Sequence, residues 1–278
     1  MKREVILRNL RVIKAEVIKT IKIWFTYPIM LVFWGIFPLI WVLPFIFQGK
    51  AFVGSLTSES FKNLTGSANY LSFVLLGAII STYIFSGLWG VGNALREETY
   101  WGTLEYMFVS PTHPMVILIG KTVVEFLYAT VVVIAQVLIS VFLLDLRVGV
   151  KQILPVVLIV LLLLIGFYGL AIGLAGFTLL IKEVHGFVHT LEWVFYLFSP
   201  IRYPVEINPI TKTISLLLPL TYALVAVRAI VLLNKRILDL GQTILLLGIM
   251  DVVFLLVGIL LFTYLEKKTR RMGTIAMY

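Results

Sequence analysis

No cysteine occurs among the 278 residues, so disulfides and thiolate metal ligands are both excluded. Charge is scarce as well: Asp, Glu, Lys and Arg make up 13% of the chain against 60% hydrophobic residues, and mean hydropathy is +1.04. That balance excludes an ordinary water-soluble domain and places the chain in a bilayer. Acidic residues are the scarcer sign, 14 against 23 basic, for a net charge of +9. The basic residues gather at the two ends of the chain, which speaks for membrane topology and against a nucleic-acid surface. A complete phosphate-binding loop is also missing. Gly120-Lys121-Thr122 imitates its last residues, but Met115 stands where the first glycine is required. Paired carboxylates and a His-Glu-x-x-His pattern do not occur either, so the sequence offers no catalytic cluster. His185 and His189 stand four apart near Glu183 and Glu192, a spacing that more often serves headgroups, water or a neighbouring helix than a metal. The reading is therefore a protein without cofactor or metal and not an enzyme.

What is present is a series of apolar runs long enough to cross about 30 Å of hydrocarbon. They are Pro28 to Phe47, Tyr70 to Val91, Val123 to Leu144, Ile153 to Ile181, Phe187 to Pro204 and Thr243 to Leu265. These six predict an all-α polytopic membrane protein of one domain, with six transmembrane helices and no fixed-period repeat. The Phe187 run is the shortest and carries Glu192, so it needs support from protein neighbours.

Charge distribution orients the spans. Lys2, Arg3, Arg8, Arg11, Lys14, Lys19 and Lys22 stand against Glu4 and Glu16, so the N-terminus is assigned to the cytoplasm of an inner (plasma) membrane. In the same segment Ile6, Leu10, Ile13, Val17, Ile21 and Trp24 recur at helical spacing, and residues 1–24 are expected to lie along the headgroups as an amphipathic helix. Residues 48–69 are rich in Ser, Thr, Gly and Asn and read as an external loop. A seventh crossing by Ile214 to Leu233, which contains Pro219 and Arg228, would put Lys267, Lys268, Arg270 and Arg271 outside. A re-entrant segment within 205–240 keeps the C-terminus cytoplasmic, and that topology is preferred.

The feature richest in information is the polar stretch between the second and third spans. Arg96, Glu97, Glu98 and Glu105 cannot lie in hydrocarbon, where a charge costs at least a few kcal/mol. Trp101, Leu104, Met107 and Phe108 fall at helical spacings and predict one apolar face beside those charges. Lipid-surface helices are usually basic on their polar face, whereas this one is acidic, which favours a protein partner.

The same stretch resembles the permease subunits of type-2 ABC exporters. The likeness rests on Glu97, Glu98, Gly102, Thr103, Leu104 and Glu105, then Ser110-Pro111, then Gly120-Lys121 opening the third span. A second, weaker likeness rests on Pro204, Pro209, Pro219-Leu220-Thr221-Tyr222 and Arg228. With the six-span layout it covers nearly the whole chain. Ser199-Pro200 departs from the serine-glycine that usually ends the fifth span, and Arg202 is added nearby. The resemblance implies that residues 93–110 form a cytoplasmic coupling helix seated on a separate ABC ATPase subunit. It also implies a permease homodimer or heterodimer, with a route lined by the first, second and fifth spans, whose aromatics include Trp34, Trp41, Tyr83, Phe85, Trp193 and Tyr196. The cargo expected from it is a drug or lipid, with a lipid-linked polysaccharide as the alternative.

Glu125, Glu192 and Asp251 are the intramembrane ionisable residues and hence candidates for the pathway. Glu125 lies one turn after Lys121 and is expected to pair with it. Asp251 has no charged neighbour in sequence, and with Glu192 it sustains a rival reading as an ion-coupled carrier. Gly166, Gly169, Gly173 and Gly176 supply small-residue spacing on the fourth span, for which internal packing is preferred over a dimer seam.

Overall fold

The computed structural model describes residues 2–29, 32–33, 36–37, 40, 43–44, 47, 59–181, 184–205 and 208–272. Among these the chain is helical, with no sheet, as expected where hydrocarbon offers backbone groups no other partner. The helices are α1 (Lys2–Thr26), α2 (Glu59–Thr65), α3 (Tyr70–Gly90), α4 (Ala94–Tyr100), α5 (Leu104–Val109), α6 (Pro114–Leu143), α7 (Val150–Phe177), α8 (His185–Phe198), α9 (Pro209–Ser215), α10 (Pro219–Val231) and α11 (Gly241–Met272). Their starts follow local chemistry. Asn69 accepts the Ser72 N–H at the head of α3, Asn208 accepts that of Ile210, and Pro114, Pro209 and Pro219 occupy first turns where no N–H is needed.

Four helical stretches are long and apolar enough to span: Tyr70–Tyr100, in which α4 continues α3, then α6, α7 and Ile237–Met272. The expected fifth span is α8, whose 14 residues cover roughly 21 Å and fall short of the hydrocarbon thickness. Half of the expected first span, Trp34 and Trp41 included, lies outside the described residues. In the 205–240 region α9 and α10 meet at a bend of 95°, the shape of a broken span or a re-entrant loop.

Part of the stripe on α1 packs against α6. Gly120 approaches Ile13 and Glu16, Lys121 meets Glu16, and Tyr128 meets Trp24 with ring centroids 5.5 Å apart. Contacts advance together along both helices, so from Ile13 to Trp24 α1 runs beside α6 and in its direction. The apolar positions Ile13, Val17, Ile21 and Trp24 are partly covered by this packing, whereas Ile6 and Leu10 stay exposed. The close approach is possible because α6 offers a glycine there, at Gly120.

α3 occupies the centre, against α6, α7, α8 and α10, and the largest helix pair is α7 with α11. That pair is built on the glycine row. A Cβ on Gly169 would stand 2.6 Å from Leu255 Cα, and one on Gly173 would stand 2.7 Å from Gly258 Cα. Gly166 faces Asp251, and Gly176 faces Phe262. Both series ascend together, so α7 and α11 are parallel neighbours in near backbone contact, and the row is an internal seam.

Candidate functional site

The polar stretch between α3 and α6 is two short helices, not the single helix expected over residues 93–110. α4 ends because Gly102 adopts φ +68°, a left-handed conformation suited to glycine, with no neighbour within 4 Å to require a small residue. The Gly102 N–H donates to Thr99 O at 3.0 Å and the Thr103 N–H to Glu98 O at 2.8 Å, the double closure of a Schellman turn. Thr103 then reaches back and donates its hydroxyl to Glu98 Oε2 at 2.5 Å. The spacing of Glu98, Gly102 and Thr103 is thus a helix stop whose side chains also fix a carboxylate.

That carboxylate enters an ionic cluster drawn from three elements. Lys121 Nζ lies 3.3 Å from Glu98 Oε1, 3.3 Å from Glu16 Oε1 and 3.6 Å from Glu97 Oε2, while Lys19 Nζ lies 3.4 Å from Glu16 and 3.8 Å from Glu98. Burial alone would raise the Glu98 carboxyl. The Thr103 hydroxyl, Lys121 and Lys19 outweigh it and hold the group below its ordinary value. Sequence reasoning missed Glu16 and Lys19. The available signal was an acid on the covered face of an otherwise basic α1, beside Ile13 and Val17.

The predicted apolar face of this stretch does not form as one surface. Leu104 and Met107 point into the protein, whereas Trp101 is on the outside with Tyr100, Tyr106 and Val109. The break at Gly102 rotates the two halves out of a common register. Glu97 and Glu105 are exposed and Arg96 is half-buried. The far end of α11 closes on the same region: Arg270 lies over the Phe108 ring at 4.9 Å and donates to Glu266 at 3.1 Å, and Glu266 stands 3.7 Å from His113. The last turns of α11 and the Glu16–Lys19 part of α1 therefore both lie beside the stretch that carries α4 and α5.

The three intramembrane acids are not brought together. Glu125 does not form the expected pair with Lys121, whose ammonium is held by Glu16, Glu97 and Glu98. Instead it accepts the Ser86 hydroxyl of α3 at 3.0 Å and fills the space left by Gly90. Glu192 accepts the Trp89 indole N–H at 3.0 Å. Asp251 is buried against Gly166, and neither carboxyl oxygen has a hydrogen-bond partner. Among the route aromatics, Tyr83 is turned away, stacked on Phe126 of α6 and bonded to Thr130 at 3.3 Å. Phe85, Trp193 and Tyr196 share one face, with Phe85 6.5 Å and Trp193 5.4 Å from Tyr196.

At the opposite end Arg228 is 7% exposed and acts as a clamp. Nε and Nη2 donate to Phe73 O at 3.2 and 2.8 Å, Nη2 to Ile201 O at 2.9 Å, and Nη1 to Pro200 O. These carbonyls belong to the first turn of α3 and to the chain just past α8, so one side chain joins α3, α8 and α10. Pro200, the departure noted in the sequence, supplies one of them. Gly77 leaves the room that the Ile201 carbonyl and the guanidinium occupy. Pro204 lines a cavity of about 390 Å³ beside Arg228, with Lys235 and Asp239 at its wall. Pro209 and Pro219 open α9 and α10.

The family model described as ABC-2 type transporter matches residues 9–232, which run from α1 through the polar stretch of α4 and α5 to the end of α10. No curated protein matches the chain.

Proposed function

The chain belongs to the ABC-2 type transporter family, and from that premise we propose that it is the permease subunit of an ATP-driven exporter whose ATP is hydrolysed by a separate subunit. The observation that carries the reading is an exposed aromatic and apolar patch on a locked support. Tyr100 is 84% exposed, Trp101 73%, Tyr106 78% and Val109 86%, all within the polar stretch between α3 and α6. Such a group in water marks a protein interface, where aromatic anchors supply most of the binding energy. Beneath it, the Glu98, Lys121, Glu16 and Lys19 cluster fixes α4 to α1 and α6. A force applied to the patch is thereby delivered to both helices and, through the in-line α3, to the membrane interior.

In this reading the patch faces the cytoplasm, both chain ends are cytoplasmic, α9 and α10 form an external re-entrant segment, and two permease copies, alike or different, enclose the route. Arg96, Glu97, Gly102, Thr103, Leu104 and Glu105 shape the ATPase contact, with Glu98 acting through its hold on Thr103 and Lys121. The cargo is a hydrophobic or amphipathic molecule, consistent with the apolar and aromatic face shared by α3 and α8. Co-purification with a co-expressed ATPase subunit tests the assignment. Trp101→Ala with Tyr106→Ala is expected to reduce recovery of the ATPase at least tenfold, and Glu98→Lys with Glu105→Lys to reduce it comparably. Undiminished recovery in both double variants refutes the assignment.

A further inference from the structure

On the outer face of α8, at the end nearest α4, a carboxylate stands among aromatic rings without a fixed cation. Glu192 is held by the Trp89 indole N–H at 3.0 Å. Trp89 in turn packs against His185 and His189, with ring centroids 5.7 and 6.4 Å away. Trp193 donates its indole N–H to His189 Nε2 at 3.3 Å, which directs the remaining imidazole proton to Nδ1. Its ring lies 6.0 Å from His189 and 5.4 Å from Tyr196. Among the described residues no Lys or Arg nitrogen reaches the Glu192 carboxylate, in contrast to the carboxylates of the α4 cluster. Trp193, His185 and His189 are exposed, so the group opens sideways.

An ionised carboxylate at membrane depth is costly without a countercharge. Aromatic faces attract a cation through their quadrupole and tolerate its apolar substituents. Fixed hydrogen bonding to one oxygen orients the carboxylate without neutralising it. We propose that Glu192, Trp89, Trp193 and the two imidazoles form a receiving site for a monovalent organic cation with an apolar body. The proposal rests on the exporter reading and narrows its cargo class. Trp89 belongs to the last turn of α3, and its carbonyl accepts the Asn93 side-chain N–H at 3.0 Å. Occupation of the site is thereby one residue away from the α3–α4 junction that the ATPase would move.

The test uses the permease alone in nanodiscs at pH 8, where free imidazole, with a pKa of about 6.5, is neutral. Radiolabelled tetraphenylphosphonium is titrated, with empty nanodiscs subtracted and tetraphenylborate as the anion of the same shape. Saturable binding is expected, at least tenfold weaker in Glu192→Gln, with no competition from tetraphenylborate. Glutamine still accepts the Trp89 N–H, so this variant removes charge and leaves geometry. Equal affinity in Glu192→Gln, equal competition by tetraphenylborate, or no saturable binding overturns the site. Should that variant not fold, Trp193→Leu, on an exposed side chain, is expected to weaken binding at least threefold, and unchanged affinity there overturns the proposal. ATPase and ATP are absent from this measurement. Its failure removes the cation site alone, whereas loss of the exporter reading is decided by ATPase recovery.

Discussion

Replacing Gly173 by alanine adds one methyl group where α7 and α11 have no space for it. The new Cβ would stand 2.7 Å from Gly258 Cα and 2.8 Å from Gly258 O, both backbone atoms that cannot swing aside. Carbon atoms pack at about 3.5–4.0 Å, so the helices must separate by roughly 1 Å. A gap of that size forfeits between a quarter and a half of the dispersion well for each facing atom pair. The loss extends along the seam, through Gly169 with Leu255, Gly166 with Asp251 and Gly176 with Phe262. Overpacking of this kind costs about 2–3 kcal/mol, equivalent to a fall of roughly 5–10 °C in apparent melting temperature for a chain of this size.

Gly248 provides the control on the same helix. No atom lies within 4 Å of a Cβ placed there, so Gly248→Ala meets no clash and gains helix propensity of about 0.5–1 kcal/mol. The assay is tryptophan-fluorescence melting of purified protein in nanodiscs. Gly173→Ala is expected to melt clearly below the parent and Gly248→Ala at or above it. If the two variants melt together, the tight α7–α11 seam is wrong.

Two further outcomes follow from the clamp and the ionic cluster. Arg228→Lys keeps the charge, but one ammonium cannot serve the Phe73, Pro200 and Ile201 carbonyls together. The variant is expected to lose about 2 kcal/mol and to melt roughly 4–8 °C lower, and a change below 1 °C contradicts the clamp. Glu98 has a depressed carboxyl pKa, so its contribution to stability is complete above the ordinary carboxylate value near about 4.3 and is lost as pH falls through the lower folded value. Amide hydrogen exchange over residues 94–103, corrected for intrinsic rates, should show full protection at neutral pH and loss on acidification. Protection that is flat with pH would mean the cluster does not hold α4.

Elements whose signal is local were readable from sequence. The long apolar runs became α3, α6, α7 and α11, because length and hydropathy suffice when hydrocarbon forbids other backbone conformations. The Gly166 to Gly176 row packs internally, the use preferred from its small-residue spacing. What failed depended on tertiary partners. The α1 stripe was periodic, and periodicity alone did not reveal that part of it lies against α6. Lys121 and Glu125 were correctly spaced for a local pair, yet carboxylates from α1 and α4 claimed the lysine and the Ser86 hydroxyl took the glutamate. Trp101 fitted a helical face that the turn at Gly102 interrupts.

The positions of these contacts make α3 the element through which the two ends of the molecule communicate. Its first turn is fixed by Arg228 at Phe73 O, and its middle by the Thr82 to Gln136 bond at 3.0 Å and the Ser86 to Glu125 bond. Its last turn is fixed by Trp89 at Glu192 and by Asn93 at Trp89 O. Across helices these bonds join α3 to three neighbours: α10 at its first turn, α6 in the middle and α8 at its last turn. A helix fastened to three partners cannot shift along its axis without straining or exchanging at least one of these bonds, and in a low-dielectric interior an orphaned polar group is costly. Movement of α4 is therefore resisted until it suffices to reorganise α6 and α8 with α3, which favours transitions between discrete packings over gradual deformation.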